Sequence, residues 1–286
     1  LPPATGAWMR YIVCMLAFYL WFFYRSTKGD QVRWLPDSKD AWVRIVLIAV
    51  FAVMGYQLLF MYGMKFTAAG DASLIITMNP IFTVLLASPF LGQRITTRMV
   101  YGLILAFIGV AVVTGWSPNT DIPVHDRLKG DFMIMLAALC WATATNLTRI
   151  MLEVEGDYGA SSSEIVVWYS LVGTALLTPW WLADVYSGGF ETPNNEDLVA
   201  ILYLSILSTV LAYIWFVIGV EKIGATSASS YVFLVPPFGV LGGWLLLDER
   251  LGASLLLGFI LIVVGVRVVQ RESEAVGRAG RSPLQD

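Results

Sequence analysis

The sequence predicts an all-α integral membrane protein: a polytopic helical bundle built from two inverted repeats of five transmembrane helices. Three observations lead to this prediction: an apolar composition, a series of apolar runs that are long enough to span a bilayer, and an internal duplication. Of the 286 residues, 57% are hydrophobic and only 14% are charged. A soluble domain is nearer a quarter charged. The composition therefore indicates a chain that lies largely in lipid.

Nine apolar runs have the length of about 20 residues that a helix needs to cross a bilayer. They cover residues 7–24, 42–64, 70–91, 97–116, 130–151, 164–183, 197–220, 225–247 and 251–269. All nine are predicted to be helices, because lipid cannot satisfy the backbone groups of an open strand. The alternating pattern of a membrane β-barrel is absent from the sequence.

The duplication relates residues 63–110 to residues 219–266, with a constant separation of 156 residues and no gap. Fifteen of the 48 aligned positions are identical. The identities include Pro80 with Pro236, Arg94 with Arg250, Gly102 with Gly258, and Gly109 with Gly265. A shared apolar composition would not favour proline, glycine and arginine in one register, so the pattern indicates a true internal repeat.

Positive charges in the loops predict the orientation of the chain. If the first visible helix starts outside, 13 lysines and arginines lie inside and 4 lie outside. This places loop 25–40 and the C-terminus in the cytoplasm and loop 184–196 outside. The link at Arg94 is then inside and the link at Arg250 outside, so the two copies cross the membrane in opposite directions. Inverted repeats of this kind are common in secondary transporters.

The two copies differ in the number of helices that are visible. The second copy has five, between about residues 130 and 269, whereas the first has four, so we expect one further helix before Leu1. The predicted domains are a first repeat over 1–118 that lacks its first helix, a second repeat over 128–270, and a tail over 271–286. The tail is polar with glycine and proline, and we expect it to be disordered and cytoplasmic.

Several classes of function are disfavoured by the residues that the sequence lacks. A net charge of −3 without a basic stripe gives no sign of nucleic-acid binding. Cys14 and Cys140 lie in separate apolar runs and His125 is the single histidine, so neither a disulfide framework nor a metal site is expected. An intramembrane hydrolase would need a nucleophile with a base, and none is evident. We expect no catalytic residue and no cofactor.

A transporter needs polar or aromatic side chains near the middle of the membrane, and ten residues fit this description. The substrate-cavity candidates are Tyr56, Gln57, Thr77, Asn79, Trp141, Thr145, Asn146, Tyr213, Ser230 and Tyr231. For Gln57 and Asn146 the alternative is a hydrogen bond between helices, which polar residues commonly make in membranes. For Trp141 and Tyr213 the alternative is packing against a neighbouring helix.

Prolines in the apolar runs predict breaks in two helices. Pro80 and Pro236 are equivalent in the repeat, and Pro237 follows directly. Each proline removes a backbone hydrogen bond to the carbonyl four residues earlier, so these residues are candidates for gating hinges, or alternatively for passive kinks. Arg10 lies near the outer end of its run. It either snorkels to the interface or contacts a substrate carboxylate. Glycines such as Gly258 and Gly265 suggest close packing between helices.

Several short motifs, taken together and in order, resemble the drug/metabolite transporter superfamily and in particular the EamA-type transporters. They are Pro2-Pro3 followed by Arg10-Tyr11, the Trp141 segment at 138–142, Asn79-Pro80, Val235-Pro236-Pro237, and Asp248-Glu249-Arg250. At the place equivalent to the last of these, the first repeat has Gly92-Gln93-Arg94 and lacks the acid. The resemblance implies ten helices around a central cavity. It also implies export of small metabolites or amino-acid-like compounds by alternating access.

The expected partners are a small-molecule substrate and the lipid bilayer, with no nucleic acid, and the sequence does not fix an oligomeric state. The expected location is the inner (plasma) membrane of a prokaryote. A membrane receptor or scaffold that does not transport remains the alternative function. It would not require an inverted repeat with matched helix breaks, whereas a transporter would.

Overall fold

The computed structural model describes residues 2–29, 31–67, 72, 75–114, 123–156, 160–188, 192–238 and 253–280. Regular structure in this part of the chain is entirely helical. The α-helices are α1 (Pro3–Thr27), α2 (Lys39–Ala49), α3 (Tyr56–Gly63), α4 (Asn79–Leu91), α5 (Thr97–Thr114), α6 (Val124–Gly156), α7 (Ser162–Gly188), α8 (Asn195–Ser205), α9 (Ala212–Ile223), α10 (Ala225–Ser230) and α11 (Ala253–Gly280).

Two π-helical segments and one 3₁₀ turn join some of these helices. Segment π1 (Val50–Gly55) connects α2 to α3, segment π2 (Ile206–Leu211) connects α8 to α9, and the 3₁₀ turn Tyr231–Leu234 follows α10. When each joined series is counted once, the described residues form nine helical segments, as the nine apolar runs predict. Five of these segments are long and apolar enough to cross a membrane. The predicted fold class, a polytopic helical membrane protein, is confirmed.

The helices form two compact units, and each unit draws on both halves of the sequence. Unit 1 consists of Leu1–Tyr62 and Leu147–Lys222, and unit 2 consists of Gly63–Asn146 and Ile223–Asp286. The compact units therefore divide the chain differently from the sequence repeats.

Unit 1 extends the duplication beyond the 48 residues that the sequence aligns. Helix α8 begins 156 residues after α2, and π2 begins 156 residues after π1. The N-caps, Ser38 and Asn194, obey the same separation, and each side chain accepts a hydrogen bond from a backbone N–H of the first turn. A cap of this kind satisfies a donor that the helix itself leaves unpaired. The two halves thus share local structure where their sequences have diverged.

Unit 2 shows directly that equivalent helices run in opposite directions. A methyl group added at Gly102 would lie 2.9 Å from the carbonyl oxygen of Gly265, and one at Gly109 would lie 2.7 Å from that of Gly258. Gly102 is equivalent to Gly258, and Gly109 is equivalent to Gly265. Exchanging the two repeats therefore turns the Gly102–Gly265 contact into the Gly258–Gly109 contact. Such reciprocal contacts are the mark of two-fold symmetry. Helices α5 and α11 therefore pack antiparallel about a local pseudo-two-fold axis.

In unit 1, helices α1 and α7 also pack antiparallel. The start of α1 is tied to the end of α7: the backbone N–H of Thr5 donates to Asp184 over 3.1 Å, and the rings of Trp8 and Trp181 stack with centroids 4.1 Å apart. At the other end, buried Glu164 in the first turn of α7 accepts from the backbone N–H of Arg33 over 2.8 Å. Asp184 thus lies beside the N-terminus of α1, and Glu164 lies in the first turn of α7. Both acids favour this pairing, because a helix N-terminus attracts negative charge.

The expectation of a disordered tail over 271–286 is wrong for its first ten residues, because α11 continues to Gly280. Glu272 explains the continuation. Its carboxylate accepts hydrogen bonds from Thr96 over 3.1 Å and from Arg98 over 3.2 Å. The polar composition of this segment therefore reflects contacts with the start of α5 rather than disorder. Residues 281–286 lie outside the described part of the chain.

Candidate functional site

Gln57 and Tyr213 form a buried polar pair in unit 1. The amide nitrogen Nε2 of Gln57 donates to the Tyr213 hydroxyl over 3.3 Å, and both residues are buried. They are 156 residues apart and so occupy the same position in the two repeats. Two equivalent residues that touch each other lie on the axis that relates the repeats. The bond between helices that the sequence offered as the alternative for Gln57 is present.

Both π-helical segments end immediately before this pair, since α3 begins at Tyr56 and α9 begins at Ala212. A π-helical segment widens the turn and loosens the regular hydrogen-bond series, and such segments are frequent at functional sites. In π2 the Thr209 hydroxyl donates to the carbonyl of Leu204 over 2.8 Å. The same irregularity in both repeats therefore adjoins the candidate residues Tyr56, Gln57 and Tyr213.

Two further tyrosines belong to this group, and the sequence did not identify them. Tyr11 in α1 and Tyr169 in α7 are buried, and both lie close to Tyr213. A weak signal for them exists in the sequence, because each tyrosine lies near the start of a long apolar helix and follows a large side chain, Arg10 in one case and Trp168 in the other. We define the tyrosine cluster as Tyr11, Tyr56, Tyr169 and Tyr213 together with Gln57.

Arg10 borders the tyrosine cluster. Its Nε atom is buried and has no hydrogen-bond partner, and Tyr11, Cys14, Tyr56 and Tyr213 are its neighbours. The guanidinium carbon lies 5.6 Å from the centre of the Tyr11 ring. Because the residue as a whole is half-buried, snorkelling to the interface and contact with a substrate both stay predictions.

Helix α8 holds this part of α1 in place through side chains that bond to backbone. The Ser205 hydroxyl donates to the carbonyl of Arg10 over 3.0 Å and to that of Ile201 over 2.6 Å. The Cys14 thiol donates to the carbonyl of Ser205 over 3.4 Å. Cys14 and Ser205 are buried. The backbone that carries Arg10 is thus fixed directly to a neighbouring helix.

Most of the other candidates lie in unit 2, where two asparagines join α4 to α6. Asn79 donates through Nδ2 to the carbonyl of Ala138 over 3.3 Å, and Asn146 donates to the carbonyl of Thr83 over 3.2 Å. Both asparagines are buried, and the Oδ1 atom of Asn146 has no partner. The amide of Asn146 therefore makes the hydrogen bond between helices that the sequence offered as the alternative to substrate contact.

The remaining candidates in unit 2 differ in exposure. Thr77 and Thr145 are buried, and the Thr145 hydroxyl donates to the carbonyl of Trp141 in its own helix over 2.9 Å. Ser230 is also buried and donates to the carbonyl of Ser227 over 2.7 Å. Tyr231, in contrast, is 48% exposed. The Thr145 and Ser230 hydroxyls therefore bond within their own helices, whereas the two asparagines bridge elements.

The predicted helix breaks are present at both equivalent prolines. Helix α4 begins at Asn79, so Pro80 lies in its first turn, where a missing N–H costs nothing. In the second repeat the 3₁₀ turn Tyr231–Leu234 ends just before Pro236. Pro236 and Pro237 are both buried. The backbone is thus irregular beside both equivalent prolines, and their role as gating hinges stays a prediction.

The acids, cysteines and histidine of the described residues do not form any group of three that could hold a metal ion.

Comparison with known proteins identifies the family of this chain. The EamA-like transporter family matches residues 1–115 and 128–271. The chain belongs to this family.

Relatives in the family are named for transport. An uncharacterized transporter of Bacillus subtilis, YyaM, is 25% identical over 93% of this chain and 83% of its own length. A probable terminal-alkyne amino-acid exporter of Streptantibioticus cattleyicolor is 27% identical over 87% of this chain and 79% of its own. A probable amino-acid metabolite efflux pump of Escherichia coli is 26% identical over 70% of this chain and 67% of its own.

A solved crystal structure shares the fold, with a TM-score of 0.75 over 96% of this chain and 90% of that chain, at 18% identity. The resemblance to EamA-type transporters is therefore confirmed, and so is the prediction that the protein is a membrane transporter and not an enzyme. The EamA fold also accounts for the pairs of equivalent helices in each unit.

Proposed function

We propose that this EamA protein is a secondary transporter that exports small amino-acid-like metabolites by alternating access. The tyrosine cluster is the observation that carries the proposal. It combines aromatic surface with hydroxyl and amide groups beside two irregular helix segments, a composition that suits a small molecule with both apolar and polar parts. The names of two relatives, a probable terminal-alkyne amino-acid exporter and a probable amino-acid metabolite efflux pump, support the choice of substrate class.

The Gln57–Tyr213 hydrogen bond is proposed to stay intact when the transporter opens to the other side. An alternating-access transporter exchanges the conformations of its two inverted repeats. A bond on the axis that relates the repeats joins the same two residues in both states, so it can remain a fixed point while the flanking helices move. The widened turns of π1 and π2 next to this pair supply the local adjustment that such a movement needs.

Transport is tested with the full-length protein in liposomes that are loaded with an equimolar mixture of the 20 L-amino acids. Efflux is followed by mass spectrometry. We expect at least one amino acid to leave faster than from protein-free liposomes, and Tyr213→Phe with Gln57→Leu to slow it. Both replacements keep the approximate size of the side chain and remove its polar atoms. A receptor or scaffold would instead give the same release as empty liposomes for every amino acid.

The proposed orientation places loop 25–40 and the C-terminus in the cytoplasm, as the distribution of lysine and arginine favours. It is tested in a Cys14→Ser, Cys140→Ser background by labelling intact cells with an impermeant thiol reagent. Gln31→Cys, Thr192→Cys and Ala275→Cys introduce thiols at exposed positions. We expect Thr192→Cys alone to label before permeabilisation and all three to label after it. External labelling of Gln31→Cys would contradict this orientation.

A further inference from the structure

We propose that Arg10 is the residue that binds the carboxylate of the transported molecule, so that the substrates are carboxylic acids such as amino acids rather than amines or neutral metabolites. This inference rests on the proposed transport function and specifies its substrate class. It is carried by the position of Arg10, a permanently charged side chain beside the tyrosine cluster, and by the neighbours that surround it.

Arg10 lacks an opposite charge in the described part of the chain. Its Nε atom is buried without a partner, and its neighbours Tyr11, Cys14, Tyr56 and Tyr213 are uncharged at neutral pH. A buried charge that is not paired is strongly unfavourable, and intramembrane charged residues usually pair with one another or with a transported species. An anionic substrate supplies the missing charge.

The chemistry of Arg10 and its neighbours fits a carboxylate that carries an apolar side chain. The planar guanidinium has five N–H donors in a fork that matches the two oxygens of a carboxylate. Tyrosine hydroxyls can donate to the same oxygens, and their rings provide apolar surface for the remainder of the molecule. A side chain attached to the carboxylate would therefore meet Tyr56 and its stacked neighbour Phe60, whose ring centres are 5.7 Å apart.

Helix α7 also brings a tyrosine to the cluster, but the residue before it is not a cation. Trp168 precedes Tyr169 there, as Arg10 precedes Tyr11 in α1, although the two pairs are 158 residues apart and not the 156 of the repeat. Trp168 is buried, and its ring nitrogen donates to the carbonyl of Arg33 over 3.2 Å, a structural contact. Of these two helices, α1 alone places a cation beside its tyrosine, which is expected of a residue that binds one end of an asymmetric substrate.

A structural role for Arg10 through its contact with the Tyr11 ring is the competing explanation. Helix α1 contains a matched control for it. The guanidinium carbon of Arg25 also lies 5.6 Å from a ring centre, that of Trp21, and Arg25 belongs to the predicted cytoplasmic end of the helix. Arg25→Gln therefore removes a similar cation–π contact away from the tyrosine cluster.

The test compares amino acids with the corresponding amino-acid amides, which lack only the carboxylate. Liposomes that contain the full-length protein are loaded with the 20 L-amino acids and their amides, and the efflux of each is measured. We expect the wild-type protein to export at least one acid about tenfold or more faster than its amide, the ratio that loss of one charge-assisted hydrogen bond produces. Arg10→Gln should reduce this ratio to near one, Arg10→Lys to an intermediate value, and Arg25→Gln should leave it unchanged.

Melting temperature separates binding from stability. Because Arg10 is half-buried with a buried Nε atom that has no partner, Arg10→Gln should melt at the wild-type temperature or above it, whereas a structural role predicts a lower value with an unchanged ratio of acid to amide. An unchanged ratio in Arg10→Gln, or equal export of acids and amides by the wild type, would overturn the inference while leaving transport intact. The wild-type comparison needs no variant and so stands even if Arg10→Gln fails to fold. If the wild type exports neither series, the proposed amino-acid substrates are wrong, and the assignment of Arg10 falls with them.

Discussion

Gly265→Ala is expected to destabilise the protein severely, although it adds only one methyl group. That methyl would lie 2.5 Å from the carbonyl oxygen of Gly102, 2.6 Å from the backbone nitrogen of Ala106 and 2.8 Å from its Cβ. Two of these contacts are backbone atoms of α5, so no side-chain rotation relieves them. The helices α5 and α11 must move apart, which costs about 1–3 kcal/mol or more in a packed interior and also removes the close contact that holds helices together in lipid.

Gly6→Ala is the matched control for this change. Gly6 lies in α1, and a methyl group there would meet nothing within 4 Å. The same substitution should therefore stabilise the helix by about 0.5–1 kcal/mol. Thermal melting in detergent, with the monodisperse fraction measured by size-exclusion chromatography, compares the two variants. The predicted packing of α5 on α11 would be wrong if Gly265→Ala and Gly6→Ala melted at the same temperature.

The pseudo-two-fold axis extends this prediction to the equivalent position. Gly109→Ala would place a methyl group 2.7 Å from the carbonyl oxygen of Gly258 and 2.8 Å from the backbone nitrogen of Ile262. Its effect should therefore be similar to that of Gly265→Ala. Here the sequence was sufficient: the glycines recur in the repeat because the same close contact recurs, and close packing at Gly258 and Gly265 is confirmed. The sequence also predicts close packing at Gly239, Gly242 and Gly243, which lie outside the described residues.

The residues of the tyrosine cluster were only partly predictable from the sequence. Tyr56, Gln57 and Tyr213 stand out because they lie in the middle of apolar runs. Tyr11 and Tyr169 lie near the starts of their helices, where aromatic residues usually anchor a helix at the interface. Arg10 kept two interpretations for the same reason, because distance along a helix does not report which neighbours surround a side chain. Those neighbours, Tyr11, Tyr56 and Tyr213 among them, depend on how α1 packs in unit 1.

Departures from regular helix were predictable only where a residue type enforces them. Proline removes a donor, so Pro80 and Pro236 predicted the two breaks in unit 2. The π-helical segments contain no proline, and π1 and π2 have different sequences, so nothing in either one signals the extra residue. The continuation of α11 was equally hidden, because it depends on hydrogen bonds from Thr96 and Arg98, which lie far away in the chain.

Pro80→Ala is expected to reduce transport while the protein remains folded. The alanine N–H at position 80 could bond the carbonyl of Ile76, which would allow α4 to extend through the turn before Asn79. Alanine is favoured over proline in a helix interior by about 3 kcal/mol, which corresponds to a bias of more than about a hundredfold toward the continuous helix. If the break is a hinge for one gate, even a part of this bias should slow efflux about tenfold. The equivalent change in the second repeat is Pro236→Ala with Pro237→Ala, since Pro237 alone could keep that helix broken.

Pro89→Ala distinguishes a hinge from a general effect of proline on helix stability. Pro89 lies inside the same helix, is exposed, and has leucine at the equivalent position of the second repeat, Leu245. Its replacement should strengthen α4 and leave efflux at the wild-type rate. Efflux of whichever amino acid the wild-type protein exports is measured for all three variants, with melting temperature as the check of folding. Undiminished efflux in both Pro80→Ala and the double variant, at melting temperatures equal to or above that of the wild type, would show that the repeated prolines are passive kinks. Slower efflux in Pro89→Ala as well would instead assign the effect to the stiffness of α4, because that proline has no counterpart in the repeat and adjoins no break.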